Sequence, residues 1–172
     1  DPFETDKATN VTYGDDTYNN VDWTDKALAD TSSSFKNIGV GYQIMVASFA
    51  DSDGDGFGDI YGIEQKLDYI EGLGVKALWL TPIKKSDSYH GYDISDYLTV
   101  DAKFGSSESP AAKAAGGVSE ATAMLDYKSL IDAAHERGMV VVMDLVLNHT
   151  STTNNWFINS AQLDKIMRGY YQ

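Results

Sequence analysis

The chain has 172 residues, of which 42% are hydrophobic, enough to bury the core of one domain. Its 26 acidic and 13 basic side chains give a formal net charge of -13, which repels nucleic acid and anionic membranes, so we expect neither as a partner. The sequence has no run near the roughly 18 apolar residues of a membrane span, and its lack of cysteine excludes a disulfide framework and a thiolate metal site.

Residues 1–38 differ in composition from the rest of the chain. They are rich in Asp, Asn, Thr and Ser and carry no sustained helical or strand periodicity. We therefore predict an irregular N-terminal leader over 1–38 and a folded part over 39–172.

The first half of the folded part predicts a strand, a loop, a helix and a second strand. Residues 42–49 are apolar enough for a strand, and 50–62 form an acidic, glycine-rich loop. Apolar residues then repeat at helical spacing over 63–73. Residues 75–80 form a short apolar run typical of a buried strand.

The second half repeats this order after a long connection. Residues 83–123 predict a long loop whose length favours a functional role, with a partly helical stretch over 106–123. A helix is predicted after an Asp126 cap, with Gly138 as its end, followed by a nearly continuous apolar strand over 139–147. Buried strands that alternate with helices predict an α/β fold with parallel pairing and right-handed crossovers.

The loop over 50–62 has the ligand set of a hard cation. Aspartates alternate with glycines that permit a tight backbone path, and a main-chain carbonyl oxygen can add to the carboxylates. The candidate ligands are Asp51, Asp53, Asp55, Phe57 through its carbonyl, and Asp59. The first nine positions match an EF-hand loop, but Gly62 replaces the bidentate glutamate at the twelfth, so a structural Ca²⁺ site is favoured over a sensor. A solvated acidic turn is the alternative, although its carboxylates would repel one another.

Two further segments place polar and aromatic side chains where strands end. Residues 89–93, with the sequence YHGYD, follow the second predicted strand, at the edge where α/β barrels have their active sites. An aromatic face, an imidazole and a carboxylate suit a sugar, and ordinary loop packing is equally compatible. Asp144 lies in the third predicted strand, where a buried carboxylate needs a partner, and His149 lies where that strand opens into the crevice.

Together these segments resemble the opening part of the α-amylase family of glycoside hydrolases. The resemblance covers about residues 40–150 and rests on four motifs in the family's order: 42–44 (YQI), 51–59 (DSDGDGFGD), 88–93 (SYHGYD) and 144–149 (DLVLNH). It implies a TIM (β/α)₈ barrel, of which the chain holds about three βα units and the start of the domain inserted after the third strand. The SYHGYD motif resembles amylases more than α-glucosidases.

The resemblance also implies roles for individual residues. Tyr92 stacks on the sugar before the cleaved bond, and His149 hydrogen-bonds the primary hydroxyl of that sugar. The implied substrate-binding residues are His90, Tyr92, Asp93, Asp144 and His149. The implied Ca²⁺ ligands are those already named in the acidic loop.

The expected activity is hydrolysis of α-1,4-glucosidic bonds in starch or related α-glucans with retention. We expect the nucleophile and the acid/base C-terminal to Gln172, so the chain holds no catalytic residue and should be inactive alone. The expected partners are starch or a malto-oligosaccharide and the remainder of the barrel, in a secreted, bacterial setting. The alternatives are an α-glucosidase or oligo-1,6-glucosidase, a non-catalytic carbohydrate-binding relative, and a calcium-sensing module.

Overall fold

The computed structural model describes residues 39–161, so the predicted leader and residues 162–172 lie outside the described residues. The strands of this part are β1 (Val40–Ile44), β2 (Val75–Leu80), β3 (Lys84–Ser86), β4 (Ile94–Val100) and β5 (Val140–Met143). Its α-helices are α1 (Val46–Phe49), α2 (Ile60–Gln65), α3 (Leu67–Gly72), α4 (Pro110–Ala115), α5 (Glu120–Glu136) and α6 (Asn155–Ala161). A 3₁₀ helix covers Ala102–Phe104. Within 39–161, no helix has the length and apolar character needed to cross a membrane.

A parallel sheet in the order β1-β2-β5 organises the fold. Leu80 in β2 pairs with Ile44 on one side and Met143 on the other, so the three strands end almost level. The carboxyl ends of all three strands therefore meet at one edge. Parallel pairing and the α/β class, both predicted from the sequence, are confirmed.

One face of the sheet packs against helices and forms the core. The side chains of α2, α3 and α5 supply the helical half, and most of their apolar residues at helical spacing are fully buried, as the periodicity predicts, whereas Leu73 at the end of the predicted run is 49% exposed. The largest buried members are Ile44, Ile60, Ile63, Leu67, Ile70, Leu78, Leu80 and Leu130. On the opposite face, Trp79 is 47% exposed.

The predicted first and third strands are shorter in the structure. The strand expected over 42–49 ends at Ile44, and Val46–Phe49 form one helical turn that buries Val46 completely. The strand expected over 139–147 ends at Met143; the N–H of Asp144 still donates to Leu80, at 3.1 Å, before the chain leaves the sheet. A short apolar run has the same appearance whether it is buried in a strand or in a turn.

The predicted loop over 83–123 contains regular structure. Its first part is the antiparallel hairpin of β3 and β4, and its last part holds α4 and the start of α5. Ser119 caps α5 through a capping box with Thr122, so the helix begins before Asp126, which was the expected cap. Asp126 lies inside the helix and is buried, and this burial raises the pKa of its carboxyl above 3.8.

Gly62 tests how closely the first turn of α2 packs against Ala50, the residue that follows α1. A Cβ at this position in α2 would lie 2.4 Å from the carbonyl oxygen of Ala50. Helix propensity favours alanine over glycine by about 1 kcal/mol, but this overlap reverses the sign. We expect Gly62→Ala to lower the free energy of unfolding by about 3 kcal/mol, as measured by urea denaturation.

Gly72 provides the matched control, because a Cβ there meets no atom within 4 Å and the residue also lies in a helix. Gly72→Ala should raise the free energy of unfolding by up to about 1 kcal/mol. A stabilising Gly62→Ala variant would contradict the close packing of α2 against Ala50.

Candidate functional site

Two loops that follow neighbouring strands meet at the carboxyl edge of the sheet. The hydroxyl of Tyr92 donates to the Asp144 carboxylate at 3.0 Å. His149 Nε2 lies 2.9 Å from the main-chain oxygen of Tyr92, and because a carbonyl only accepts, Nε2 carries the proton. The amide of Asn148, 3.2 Å from His149 Nδ1, can then donate to that nitrogen. Tyr92, Asp144 and His149, three of the predicted substrate-binding residues, are thus brought together.

The predicted aromatic surface is present and faces solvent. The rings of His90 and Tyr92 stack with their centroids 6.0 Å apart, and the ring of Tyr89 meets His90 edge-on at 5.2 Å. Tyr92 is 38% exposed and Tyr89 is 77% exposed. The hydrogen bond that the Tyr92 phenol donates to Asp144 raises the pKa of the phenol above 10.0, so the hydroxyl stays protonated at neutral pH. Open ring faces beside an imidazole and a carboxylate can stack on a sugar and hydrogen-bond its hydroxyls.

Asp93 directs its carboxylate into its own loop. Oδ1 accepts hydrogen bonds from the hydroxyl of Ser86, at 2.6 Å, and from the hydroxyl of Ser88. Burial by itself would raise the pKa of Asp93, but the two hydroxyl donors outweigh it and hold the pKa below 3.8. These contacts support the shape of the loop, and a direct contact of Asp93 with a sugar stays a prediction.

The sequence argument missed Tyr97, which holds the segment after β5. Its hydroxyl lies 2.7 Å from the main-chain oxygen of Val146 and 2.6 Å from that of His149, so these two acceptors share its one proton, and its ring stacks on Trp156 at 5.4 Å. A cavity of about 590 Å³ lies here, lined by Tyr97, Leu145, Leu147, Asn148, His149, Thr150, Trp156 and Phe157. The β-branched and aromatic residues of β4 were the signal that could have revealed this strand.

Part of the predicted cation loop converges. Carboxylate oxygens of Asp51, Asp53 and Asp59 all lie within 4.8 Å of one another. Ligands on opposite sides of one Ca²⁺ are separated by about 5 Å, since each lies 2.3–2.6 Å from the ion. The three carboxylates therefore fit a single hard cation.

The carboxylates of this loop also accept hydrogen bonds from main-chain N–H groups of the loop and from serines that lie close to it. Hydrogen bonds from the N–H groups of Gly56 and Gly54 lower the pKa of Asp51 below 3.8. Asp59 is buried and caps α2, accepting from the N–H of Gly62 at 2.6 Å. Asp55 accepts from the N–H of Phe57, at 2.7 Å, and is not a member of the converging group.

Comparison with known proteins places this geometry in a family. Residues 43–115 and 118–172 match the model of the α-amylase catalytic domain. The chain belongs to the α-amylase family of glycoside hydrolases. It is 42% identical over 146 residues to α-amylase SusG of Bacteroides thetaiotaomicron, covering 84% of this chain and 19% of that protein. It is also 45% identical over 132 residues to the oligo-1,6-glucosidase of Parageobacillus thermoglucosidasius, covering 76% and 20%.

The solved structures agree with the sequence relatives. The crystal structure of α-amylase from H. orenii superposes with a TM-score of 0.61 at 42% identity, covering 74% of this chain and 24% of that one. The three parallel strands are thus the N-terminal part of a (β/α)₈ barrel, which confirms the predicted fold class. The chain spans about a fifth of the length of the curated relatives it matches.

Tyr97→Phe tests whether the tyrosine hydroxyl holds the segment that carries His149. The substitution removes the donor shared by two main-chain oxygens, so we expect the free energy of unfolding to fall by about 1–2 kcal/mol in urea denaturation. The matched control is Tyr69→Phe on the exposed side of α3, with a change below about 0.5 kcal/mol. Equal stability of the two variants would contradict the role of Tyr97.

Proposed function

We propose that the complete enzyme cleaves α-1,4-glucosidic bonds in starch or related α-glucans with retention, and that this chain supplies substrate contacts. The observation that carries the proposal is the meeting of Tyr92, Asp144 and His149 at the carboxyl edge of the sheet. This is the edge at which barrels of this type bind substrate. The family and the geometry of the loops are independent supports.

Each of these residues has a distinct part in the proposal. The exposed ring of Tyr92 stacks on the C–H face of a glucose unit. His149 donates to the main-chain oxygen of Tyr92 and so fixes the position of the loop. Asp144 accepts a hydrogen bond from the Tyr92 hydroxyl and so holds the Tyr92 ring in place against the sugar. Retaining hydrolysis needs two carboxyl groups about 5–5.5 Å apart, which we assign to parts of the enzyme beyond this chain.

The oligo-1,6-glucosidase relatives make α-1,6 cleavage the second candidate. The specific observation that favours an amylase is the exposed pair Tyr89 and His90, whose rings extend the Tyr92 surface outward along the loop. A longer aromatic surface suits a longer glucan chain. Because a starch polymer is too large to cross a membrane, the proposed substrate also implies that the enzyme acts outside the cytoplasm.

Ca²⁺ is the cation that we propose for the acidic loop. Asp51, Asp53 and Asp59 would hold it, with Asp55 and the carbonyl of Phe57 as the further ligands that the family resemblance implies. The bound ion would neutralise the mutual repulsion of the carboxylates and so stabilise the first loop after β1.

The substrate proposal predicts that the complete enzyme releases reducing sugar from starch faster than from isomaltose. Tyr92→Ala should lower kcat/KM on maltoheptaose by about 100-fold, because it removes a stacking surface beside the cleaved bond. Tyr69→Ala, on the exposed side of α3, is the control and should leave kcat/KM unchanged. Faster hydrolysis of isomaltose would favour the α-1,6 candidate, and starch hydrolysis by the 172-residue chain alone would show that the chemistry lies within it.

The cation proposal predicts a stability effect that depends on calcium. Ca²⁺ at about 100 times its Kd should raise the free energy of unfolding by about 2.7 kcal/mol relative to the same protein in EDTA, as measured by urea denaturation. Asp51→Asn should abolish most of this difference. Asp132→Asn, which removes an exposed carboxylate on α5, should keep it. Identical stability with and without Ca²⁺ would overturn the cation site.

A further inference from the structure

A lysine ammonium lies under the loop that carries the proposed sugar contacts. Lys103, in the 3₁₀ helix after β4, donates from Nζ to the main-chain oxygens of Ser86, at 2.8 Å, and Ser88, at 3.3 Å. The same nitrogen forms an ion pair with Asp101 Oδ2 at 3.2 Å. An ammonium has three N–H donors, so all three have an acceptor.

Asp101 binds the main-chain N–H groups of this region, and together with Lys103 it forms what we call the clamp. Its carboxylate accepts from the N–H of Ser86, at 3.2 Å, and from the N–H of Lys103, at 3.1 Å. Its own N–H donates to the main-chain oxygen of Ile83 at 2.9 Å. The lysine and aspartate side chains are only 28% and 15% exposed, so solvent screens this pair less than a surface ion pair. The segment 86–88 is therefore bound through both its N–H and its carbonyl groups.

Ser88 transmits this restraint to the residues that face the sugar. Its hydroxyl donates to the Asp93 carboxylate, accepts from the N–H of Gly91 at 3.2 Å, and lies 3.1 Å from His90 Nδ1. His90 Nδ1 in turn accepts from the N–H of Tyr92 at 3.1 Å. A displacement of Ser88 would thus move both His90 and Tyr92.

The loop has little room to absorb such a displacement. Gly91 has a φ of +80°, and a Cβ there would lie 2.8 Å from the main-chain oxygen of Pro82. The loop therefore packs tightly against the end of β2, and its position is set by that contact and by the clamp below it.

We infer that Lys103 is a positioning residue for substrate binding: its ammonium holds the main-chain oxygens of Ser86 and Ser88 and thereby sets where His90 and Tyr92 meet the sugar. The inference rests on the proposed function, because the ligand of this loop is the proposed glucan. Lys103 itself lies beneath the loop and acts through Ser88.

The test compares variants of the complete enzyme on maltoheptaose. Lys103→Met removes the ammonium and keeps an unbranched side chain of similar length, and we expect kcat/KM to fall by about tenfold. Both a lower kcat and a higher KM are expected, since the loop contacts the sugar in the ground state and in the transition state. Lys103→Arg keeps the cation and several donors and should retain most of the wild-type kcat/KM.

The matched control is Lys85→Met in β3, the strand that ends at Ser86. Lys85 pairs with Glu120 at 2.7 Å, but its side chain is 51% exposed and it does not contact the 86–88 carbonyls, so kcat/KM should stay within about twofold of wild type. Asp101→Asn, which removes the charge of the ion pair and keeps one of the two acceptor oxygens, is a second test and should lower kcat/KM less than Lys103→Met does.

The outcomes separate this inference from the proposed function. A Lys103→Met enzyme with a lower melting temperature but wild-type kcat and KM per folded molecule would assign the lysine to stability alone and overturn the inference. The same holds if Lys103→Arg is as impaired as Lys103→Met. A wild-type enzyme without activity on maltoheptaose would overturn the proposed function and, with it, this inference.

Discussion

Parallel pairing of β1, β2 and β5 is the constraint from which the candidate site follows. Because the three strands run in the same direction and end almost level, the loops after them all emerge at one edge. Tyr92 and Asp144 are 52 residues apart in the chain and still share a hydrogen bond. An antiparallel arrangement would send one of these loops to the far side of the sheet.

The loops at this edge are held mainly by polar contacts with the backbone. Asp51 and Asp59 accept from N–H groups in the acidic loop, whereas Lys103 donates to carbonyl oxygens in the hairpin loop. Carboxylates thus bind main-chain N–H groups, and an ammonium binds main-chain carbonyl groups. The rings of Tyr89 and Tyr92 are nevertheless 77% and 38% exposed, although the Tyr92 hydroxyl is bound to Asp144.

The face of the sheet opposite the helices is exposed, as expected for one part of the longer barrel that the relatives have. Parallel strands are ordinarily covered on both faces, yet Trp79 and Val142 of neighbouring strands are exposed side by side. In a closed barrel the other strands and their inward side chains cover this face.

The sequence by itself determined the local features of this protein. The helical spacing of Ile63, Leu67 and Ile70, the apolar run of β2 and the acidic loop were all visible, because each depends on neighbours within a few residues. The C-terminal ends predicted for β1 and β5 were wrong, since apolar composition does not distinguish a strand from a buried turn.

Only the tertiary structure decided which side chains meet. The donation of the Tyr97 hydroxyl to the segment after β5 and the contact of Lys103 with Ser86 join residues 49 and 17 positions apart, and no local pattern encodes such distances. The same holds for Asp55, whose spacing matches that of the other aspartates but whose carboxylate turns to the backbone of Phe57. The sequence shows which residue types are present, whereas the packing of the strands and the hairpin decides which of these side chains come together.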